Sequence, residues 1–182
     1  MALLNILAKV VEKLVDATVA RWIAENNVIP AEQAGFRAHM GCSALHSRLA
    51  RDARHALKNG KQLACLIADV KGAFDATWIN GLLFKLLGYG MPMFLVFWIS
   101  SYLHARRYQV RVGSALSEVW IALSGCPQGS CISPGLWNLF TADLVDHLRA
   151  FCTRVQLFAD DTLSSLETSW ETRETTCSDS VT

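Results

Sequence analysis

The chain has 182 residues, 52% of them hydrophobic, and a formal net charge of +1 at pH 7. Its length and mean hydropathy of +0.25 allow a sizeable core, which excludes a largely disordered protein. Its six cysteines form no CxxC pair, so we interpret them as reduced thiols of an intracellular protein. No apolar run reaches the roughly 18 residues of a membrane span, and the N-terminus lacks a signal peptide, so we expect no membrane contact.

Two amphipathic helices are predicted in the first third of the chain. The first covers residues 3–25, and Glu12 lies off its apolar stripe. The stripe comprises Leu3, Leu4, Leu7, Val10, Val11, Leu14 and Val15. The second covers residues 43–59 and presents a basic face that includes Arg48, Arg51 and Lys58. This face is either a solvated helix surface or a surface that follows nucleic-acid phosphates.

The rest of the chain mixes strands and helices. The continuous apolar run at 63–70 predicts a strand covered on both faces. Helices are predicted at 81–90, 93–103 and 135–151, a hairpin at 107–123, and two short strands on either side of Asp160 and Asp161. Because strict βαβ alternation is lacking, the pattern favours an α+β fold with an antiparallel sheet.

Three carboxylates stand out by their positions. Asp69 ends the apolar strand at 63–70, and Asp160 and Asp161 occupy the turn of the last hairpin. If that hairpin pairs with the apolar strand, the three carboxylates meet at one end of a sheet, where hard divalent cations would relieve their repulsion. The alternative is ordinary turn chemistry, because aspartate is favoured in tight turns.

Four stretches in this order resemble the reverse transcriptases of non-LTR (LINE-type) retrotransposons. They are LLNILAKVVEKLV with IPAEQAGFR, IADVKGAFDATW, SGCPQGSCISPGLWNLF and FADD, and they cover residues 3 to about 163. Group II intron reverse transcriptases share much of this pattern. The resemblance implies a right-hand polymerase palm, an antiparallel sheet with packed helices, at 63–166. It also implies partial fingers at 1–62 and a tail unlike the family at 167–182.

The resemblance also implies the site. Asp69, Asp160 and Asp161 would be the catalytic metal ligands, together with the backbone carbonyl of Val70. The cofactor would be two Mg²⁺ ions, with Mn²⁺ as a substitute. The expected substrates and partners are dNTPs, an RNA template and a DNA primer.

Four further residues match positions that contact the nucleotide or the template in this family. Phe74 would lie beneath the incoming sugar, or it is a plain core phenylalanine. Gln128 and Gly129 would contact the nucleotide, or the PQG sequence is only a turn. Arg37 would lie near the triphosphate, or it is a solvated surface arginine, since a second basic residue common in the family is replaced by Met40.

The expected function is RNA-templated addition of dNTPs to a primer 3′-hydroxyl by a two-metal mechanism, in the nucleus or cytoplasm. The primer-grip hairpin and helical thumb of the family are not recognisable after Leu166. We therefore expect a domain truncated at both ends, without measurable polymerisation by itself, whose exposed palm surface is covered by a thumb segment or a partner. The alternative is a catalytically inactive remnant that at most binds nucleic acid or protein.

Overall fold

The computed structural model describes residues 6–37, 40–104, 106–151 and 154–169. Helices account for 48% of the described residues and strands for 19%, so the predicted mixed fold class is confirmed. The chain divides into two compact units, which we call unit 1 (Met1–Pro30 and Val70–Ala142) and unit 2 (Ala31–Asp69 and Asp143–Thr182). In the part of the chain that the structure describes, no helix is long and apolar enough to cross a membrane.

The helices are α1 Ile6–Asn26, α2 Cys42–Lys58, α3 Ala73–Ala76, α4 Ile79–Gly88, α5 Met93–Leu103, α6 Ser133–Phe140 and α7 Leu144–Arg149. The strands are β1 Gln62–Ala68, β2 Arg106–Tyr108, β3 Arg111–Val112, β4 Ala115–Leu116, β5 Trp120–Ala122, β6 Arg154–Phe158 and β7 Asp161–Thr168.

Unit 1 is built around a continuous apolar core. Side chains from α1, α4, α5 and α6 form it, and Leu82, Leu86, Ile99 and Leu136 are fully buried there. Proline helps to start two of these helices: Pro92 precedes α5, and Pro134 lies in the first turn of α6, where its missing N–H costs nothing. The predicted hairpin is present as the antiparallel pairs β2–β5 and β3–β4.

Helix α1 turns to the core a face that shares Val15 with the predicted stripe but not Leu7, Val10, Val11 or Leu14. Its buried residues are Glu12, Val19 and Trp22, whereas Leu7 is 75% exposed and Leu14 67% exposed. The prediction holds for Val15 and was wrong for the other described residues of the stripe. The stripe was chosen from the first half of the helix, while most of the apolar core contacts (Val19, Trp22 and Ile23) come from its second half. Leu3 and Leu4 of that stripe lie outside the described residues.

The helix predicted at 135–151 is two helices, α6 and α7. Helix α6 stops at Phe140, and the Thr141 hydroxyl donates a hydrogen bond to the carbonyl of Trp137. The break falls where the chain passes from unit 1 to unit 2. Apolar periodicity continues across it because each half packs into the core of its own unit.

Unit 2 contains a three-stranded antiparallel sheet in the order β1–β7–β6. The strand predicted at 63–70 is present as β1, but the prediction that both of its faces are covered was wrong. Leu66 is 66% exposed and Ile67 is 75% exposed. Among the described strands, β1 lies at the edge of the sheet and pairs only with β7. Its apolar run therefore indicates neither a central position nor a covered face.

Candidate active site

Strand register brings the three predicted carboxylate positions to one end of the sheet in unit 2. Ala68 pairs with Thr162, so the next residues along the two antiparallel chains are Asp69 and Asp161. Asp160 lies in the turn that joins β6 to β7, next to the pair Phe158 and Asp161. Directly opposed residues of antiparallel strands have Cα atoms about 4.5–5.5 Å apart. The hairpin therefore lies beside β1, which is the condition on which the sequence analysis based the meeting of the three carboxylates.

These carboxylates face solvent without counter-charges. Asp69 and Asp161 are exposed, Asp160 is half-buried, and none of the three forms an ion pair with any described residue. Three oxygen-only donors suit a hard divalent cation. In the described ranges, no three His, Cys, Asp or Glu side chains converge closely enough to form a ligand set. The backbone positions thus come together, while the side chains are not arranged around one point.

The turn that carries Asp160 is supported by the segment from Ala31 to Gly35, for which the sequence predicted no role in the site. Gln33 forms a parallel bridge with Leu157 of β6, and its buried side chain hydrogen-bonds the backbone of Ala159. A polar residue within a family-like motif was the only sequence signal for this contact. Arg37, four residues later, is exposed, and its guanidinium donates to the Gln33 carbonyl at 3.4 Å.

In unit 1, Phe74 and Gln128 belong to one local structure. The backbone N–H of Cys126 donates to the Phe74 carbonyl at 2.6 Å, which joins the start of the CPQG loop to α3. Gln128 Nε2 donates to a carboxylate oxygen of Asp75 at 3.4 Å. Gly129 has φ +92°, a conformation that L-residues rarely adopt, so glycine is required there. Val70, the first residue of the second segment of unit 1, is 40% exposed.

Phe74 is half-buried rather than freely exposed. Its ring packs against the apolar core of unit 1, with its centroid 6.1 Å from that of Trp137 and the planes tilted by 47°. This contact is that of a core residue, while Phe74 as a whole remains partly exposed to solvent. Both interpretations of Phe74 therefore agree with its surroundings.

A buried polar cluster holds the other end of the CPQG loop. The Glu12 carboxylate, 2% exposed, accepts hydrogen bonds from the hydroxyls of Tyr102 (2.5 Å) and Ser130 (3.1 Å). The Cys131 thiol lies 3.7 Å from it. Burial, and then the bond to Glu12, raise the pKa of Tyr102 well above its usual range. This cluster is not predictable from the apolar pattern of the sequence, because Glu12 lies off the predicted stripe of α1.

Two cavities accompany these residues, one in each unit. A cleft of about 1270 Å³ in unit 1 lies between the β2–β5 hairpin and the CPQG loop, and Arg107, Tyr108 and Gln128 line it. A cavity of about 570 Å³ in unit 2 is lined by Arg48, Arg51 and other residues. The others are Glu32, Asp52, Arg149, Arg154, Val155 and Gln156. Lys58 is exposed at the last residue of α2.

Comparison with known proteins decides the family. Residues 1–178 match the family described as "Reverse transcriptase (RNA-dependent DNA polymerase)". The chain belongs to the reverse transcriptase family. The resemblance inferred from the motifs is therefore confirmed.

Curated relatives of this reverse transcriptase domain come from Drosophila non-LTR transposons. One, 33% identical over 145 residues, is the "Probable RNA-directed DNA polymerase from transposon BS" of Drosophila melanogaster. Another, 31% identical over 147 residues, is the "RNA-directed DNA polymerase from mobile element jockey" of the same species. The alignments cover 79% and 80% of this chain but only 16% of each relative. The chain thus matches about a sixth of the length of these proteins.

Proposed function

We propose that this chain carries the polymerase site of its family and supports RNA-templated addition of dNTPs to a primer 3′-hydroxyl. The observation that carries the proposal is the strand register, which brings Asp69, Asp160 and Asp161 to one sheet end without counter-charges. In this proposal the sheet of unit 2 is part of the polymerase palm. A helix-packed antiparallel sheet with carboxylates at one end agrees with that assignment.

The residues that would hold divalent cations are Asp69, Asp160 and Asp161, with the Val70 carbonyl as a further oxygen donor. Bound there, two Mg²⁺ or Mn²⁺ ions would lower the pKa of the primer hydroxyl and stabilise charge on the leaving pyrophosphate. The protein's own contribution is to bring these residues to one end of the sheet and to leave their carboxylates without a lysine or arginine partner among the described residues.

Nucleotide and nucleic-acid contacts are assigned separately. We assign the sugar contact to the accessible part of Phe74 and the base-pair contact to Gln128 and Gly129, because the CPQG loop is anchored to α3. Arg37 is assigned to the triphosphate. Arg48, Arg51 and Lys58 are assigned to template phosphates, and the open basic cavity beside α2 supports the first two.

Exposed apolar side chains support a second candidate, a binding module without catalysis. Leu66 and Ile67 on β1, and Phe84 and Phe94 in unit 1, are each at least 65% exposed. Surfaces of this kind often mark sites of protein interaction. In this candidate function, the chain is still a member of the reverse transcriptase family but does not catalyse DNA synthesis.

Primer extension on an RNA template distinguishes the two candidates. Residues 1–166 would replace the matching segment of the jockey relative, with Asp160→Asn as the test variant and the exposed Asp146→Asn as the matched control. We expect extension by the chimera and by the control, and a loss of at least about 100-fold in Asp160→Asn. Equal extension with and without Asp160→Asn would contradict the proposed site. No extension by any chimera would favour the binding module.

A further inference from the structure

Gln33 uses both ends of its side-chain amide to hold the backbone of Ala159. The side chain is buried, with 1% of the residue exposed. Its Oε1 accepts hydrogen bonds from the backbone N–H of Ala159 at 3.1 Å and of Gly35 at 2.8 Å. Its Nε2 donates to the Ala159 carbonyl at 3.3 Å. One side chain thus bonds both backbone polar groups of a single turn residue.

Ala159 is a residue that needs such support. Its φ is +58°, in the left-handed region that costs an L-residue roughly 1–2 kcal/mol. It directly precedes Asp160 in the turn between β6 and β7. Unfavourable backbone conformations of this kind persist where the surroundings fix them, and they cluster at functional sites. The conformation of Ala159 determines the direction in which the chain leaves toward Asp160.

The segment that carries Gln33 is itself fixed to β6. The Ala34 N–H donates to the Leu157 carbonyl at 2.8 Å, and the Leu157 N–H donates to the Glu32 carbonyl at 3.0 Å. Gly35 lies so close to the turn that a Cβ on it would come within 2.0 Å of the Ala159 nitrogen. The backbone around Gln33 is therefore held against β6 by hydrogen bonds, so the position of the Gln33 side chain is fixed relative to the turn.

We propose that Gln33 is a positioning residue that fixes the turn and thereby aims Asp160 and Asp161 for divalent-cation binding. The cation-binding part of this inference rests on the proposed function, whereas the turn-fixing part does not. Residues that orient metal ligands through hydrogen bonds commonly change metal affinity 10–100-fold when they are lost. We expect Gln33 to fall in this range.

The test compares Gln33→Met with Gln156→Met in the full chain. Gln156 is a matched control because it is a glutamine on β6, is 5% exposed, and its Oε1 has no hydrogen-bond partner among the described residues. Amide hydrogen exchange by NMR reports the Gly35 and Ala159 N–H groups, and Mn²⁺ titration by electron paramagnetic resonance reports cation affinity. Gln33→Glu is the conservative variant, since it keeps the acceptor oxygen.

In Gln33→Met we expect exchange at Gly35 and Ala159 to be about tenfold faster than in Gln156→Met. We expect Mn²⁺ affinity to fall at least tenfold, with Gln33→Glu restoring slow exchange at both amides. Equal exchange in the two methionine variants would overturn the turn-fixing role. Unchanged Mn²⁺ affinity in Gln33→Met, with affinity lost in Asp160→Asn, would overturn the aiming role. A wild-type chain that binds no Mn²⁺ would overturn the proposed function, while the exchange result still decides whether Gln33 holds the turn.

Discussion

The two units are stabilised by different interactions. Unit 1 buries a continuous apolar core from four helices, and Glu12 is its one buried acid among the described residues. Unit 2 has a buried apolar cluster of only Val145, Val155 and Leu157 in its described part. The predicted metal ligands Asp69, Asp160 and Asp161 all belong to unit 2. The carboxylates therefore lie in the unit that depends least on apolar burial.

Ion pairs connect the helices and strands of unit 2, which has little apolar burial. Asp52 of α2 lies 2.9 Å from Arg154 of β6, an ion pair rather than an aligned hydrogen bond. Arg154 also contacts Glu167 of β7 at 3.3 Å, and Lys61 and His55 each approach Glu167 at 3.5 Å. We therefore expect the stability of unit 2 to depend on pH and salt concentration, whereas the stability of unit 1 should depend mainly on the apolar volume of its core.

The largest expected effect is a cavity in unit 1. Leu136 is 0% exposed in the core, so Leu136→Ala should lower the free energy of unfolding of unit 1 by about 3–5 kcal/mol. Segment-resolved hydrogen exchange measures each unit by itself. Leu116→Ala, on the exposed hairpin, is the control and should change stability by less than about 0.5 kcal/mol. Similar losses in both variants would mean that this core is loosely packed.

The buried polar cluster of unit 1 should rank second. Glu12→Ala removes the acceptor of the Tyr102 and Ser130 hydroxyls, which are left without it in a buried site. We expect a loss of about 3 kcal/mol in the free energy of unfolding. Lys13→Ala, on the exposed side of the same helix, should be near neutral. If Glu12→Ala stabilised unit 1 instead, the buried carboxylate would be destabilising on balance and would not support the CPQG loop.

Breaking the buried ion pair of unit 2 should cost less. Asp52→Ala leaves Arg154, which is partly exposed and keeps Glu167 as a partner. We expect unit 2 to lose about 2 kcal/mol in hydrogen-exchange stability. Asp146→Ala removes the exposed pair with Arg149 and should cost about 0.5 kcal/mol or less. Equal costs would mean that burial of Asp52 adds nothing to its pairing.

The smallest expected effect is a pH dependence of unit 2 that comes from Glu167. Partial burial opposes ionisation of Glu167, but contacts with His55, Lys61 and Arg154 more than offset it and lower the pKa of Glu167 from its usual 4.5. A lowered pKa gives stability that is present above pH 4.5 and is lost as the pH falls through the folded-state value. As the pH is lowered from 6 to 3, the difference in the stability of unit 2 between the wild type and Glu167→Gln should therefore shrink toward zero. A constant difference across that range would exclude this linkage.

Sequence patterns predicted the elements better than their burial. The α5 helix, the β3–β4 turn and the hairpin around Asp160 follow from local periodicity and turn residues, which act within a few positions. Whether Glu12 or Leu14 faces the core depends on Tyr102 and Ser130, which are about 90 and 118 residues away in the chain. Local patterns contain no such information, and the exposed β1 was wrongly predicted for the same reason.

The candidate site shows the same difference between features that local sequence patterns predict and features that long-range contacts determine. The motifs identified Asp69, Asp160 and Asp161 by residue type and order, and the register then placed them together. Gln33 was missed because its role is a contact to the backbone of Ala159, 126 residues away. Residues that act on backbone leave little signal in a single sequence, since any polar side chain of suitable length fits the pattern.

Direct measurement of cation binding tests the central claim, that the carboxylates at the sheet end of unit 2 form a divalent-cation site. Mn²⁺ is titrated into the full chain and followed by electron paramagnetic resonance, with Asp69→Asn and Asp160→Asn as test variants and Asp146→Asn as the control. We predict saturable binding by the wild type and the control, and at least about tenfold weaker binding in each test variant. Equal affinity in the wild type and Asp160→Asn, or no saturable binding by the wild type, would contradict the account.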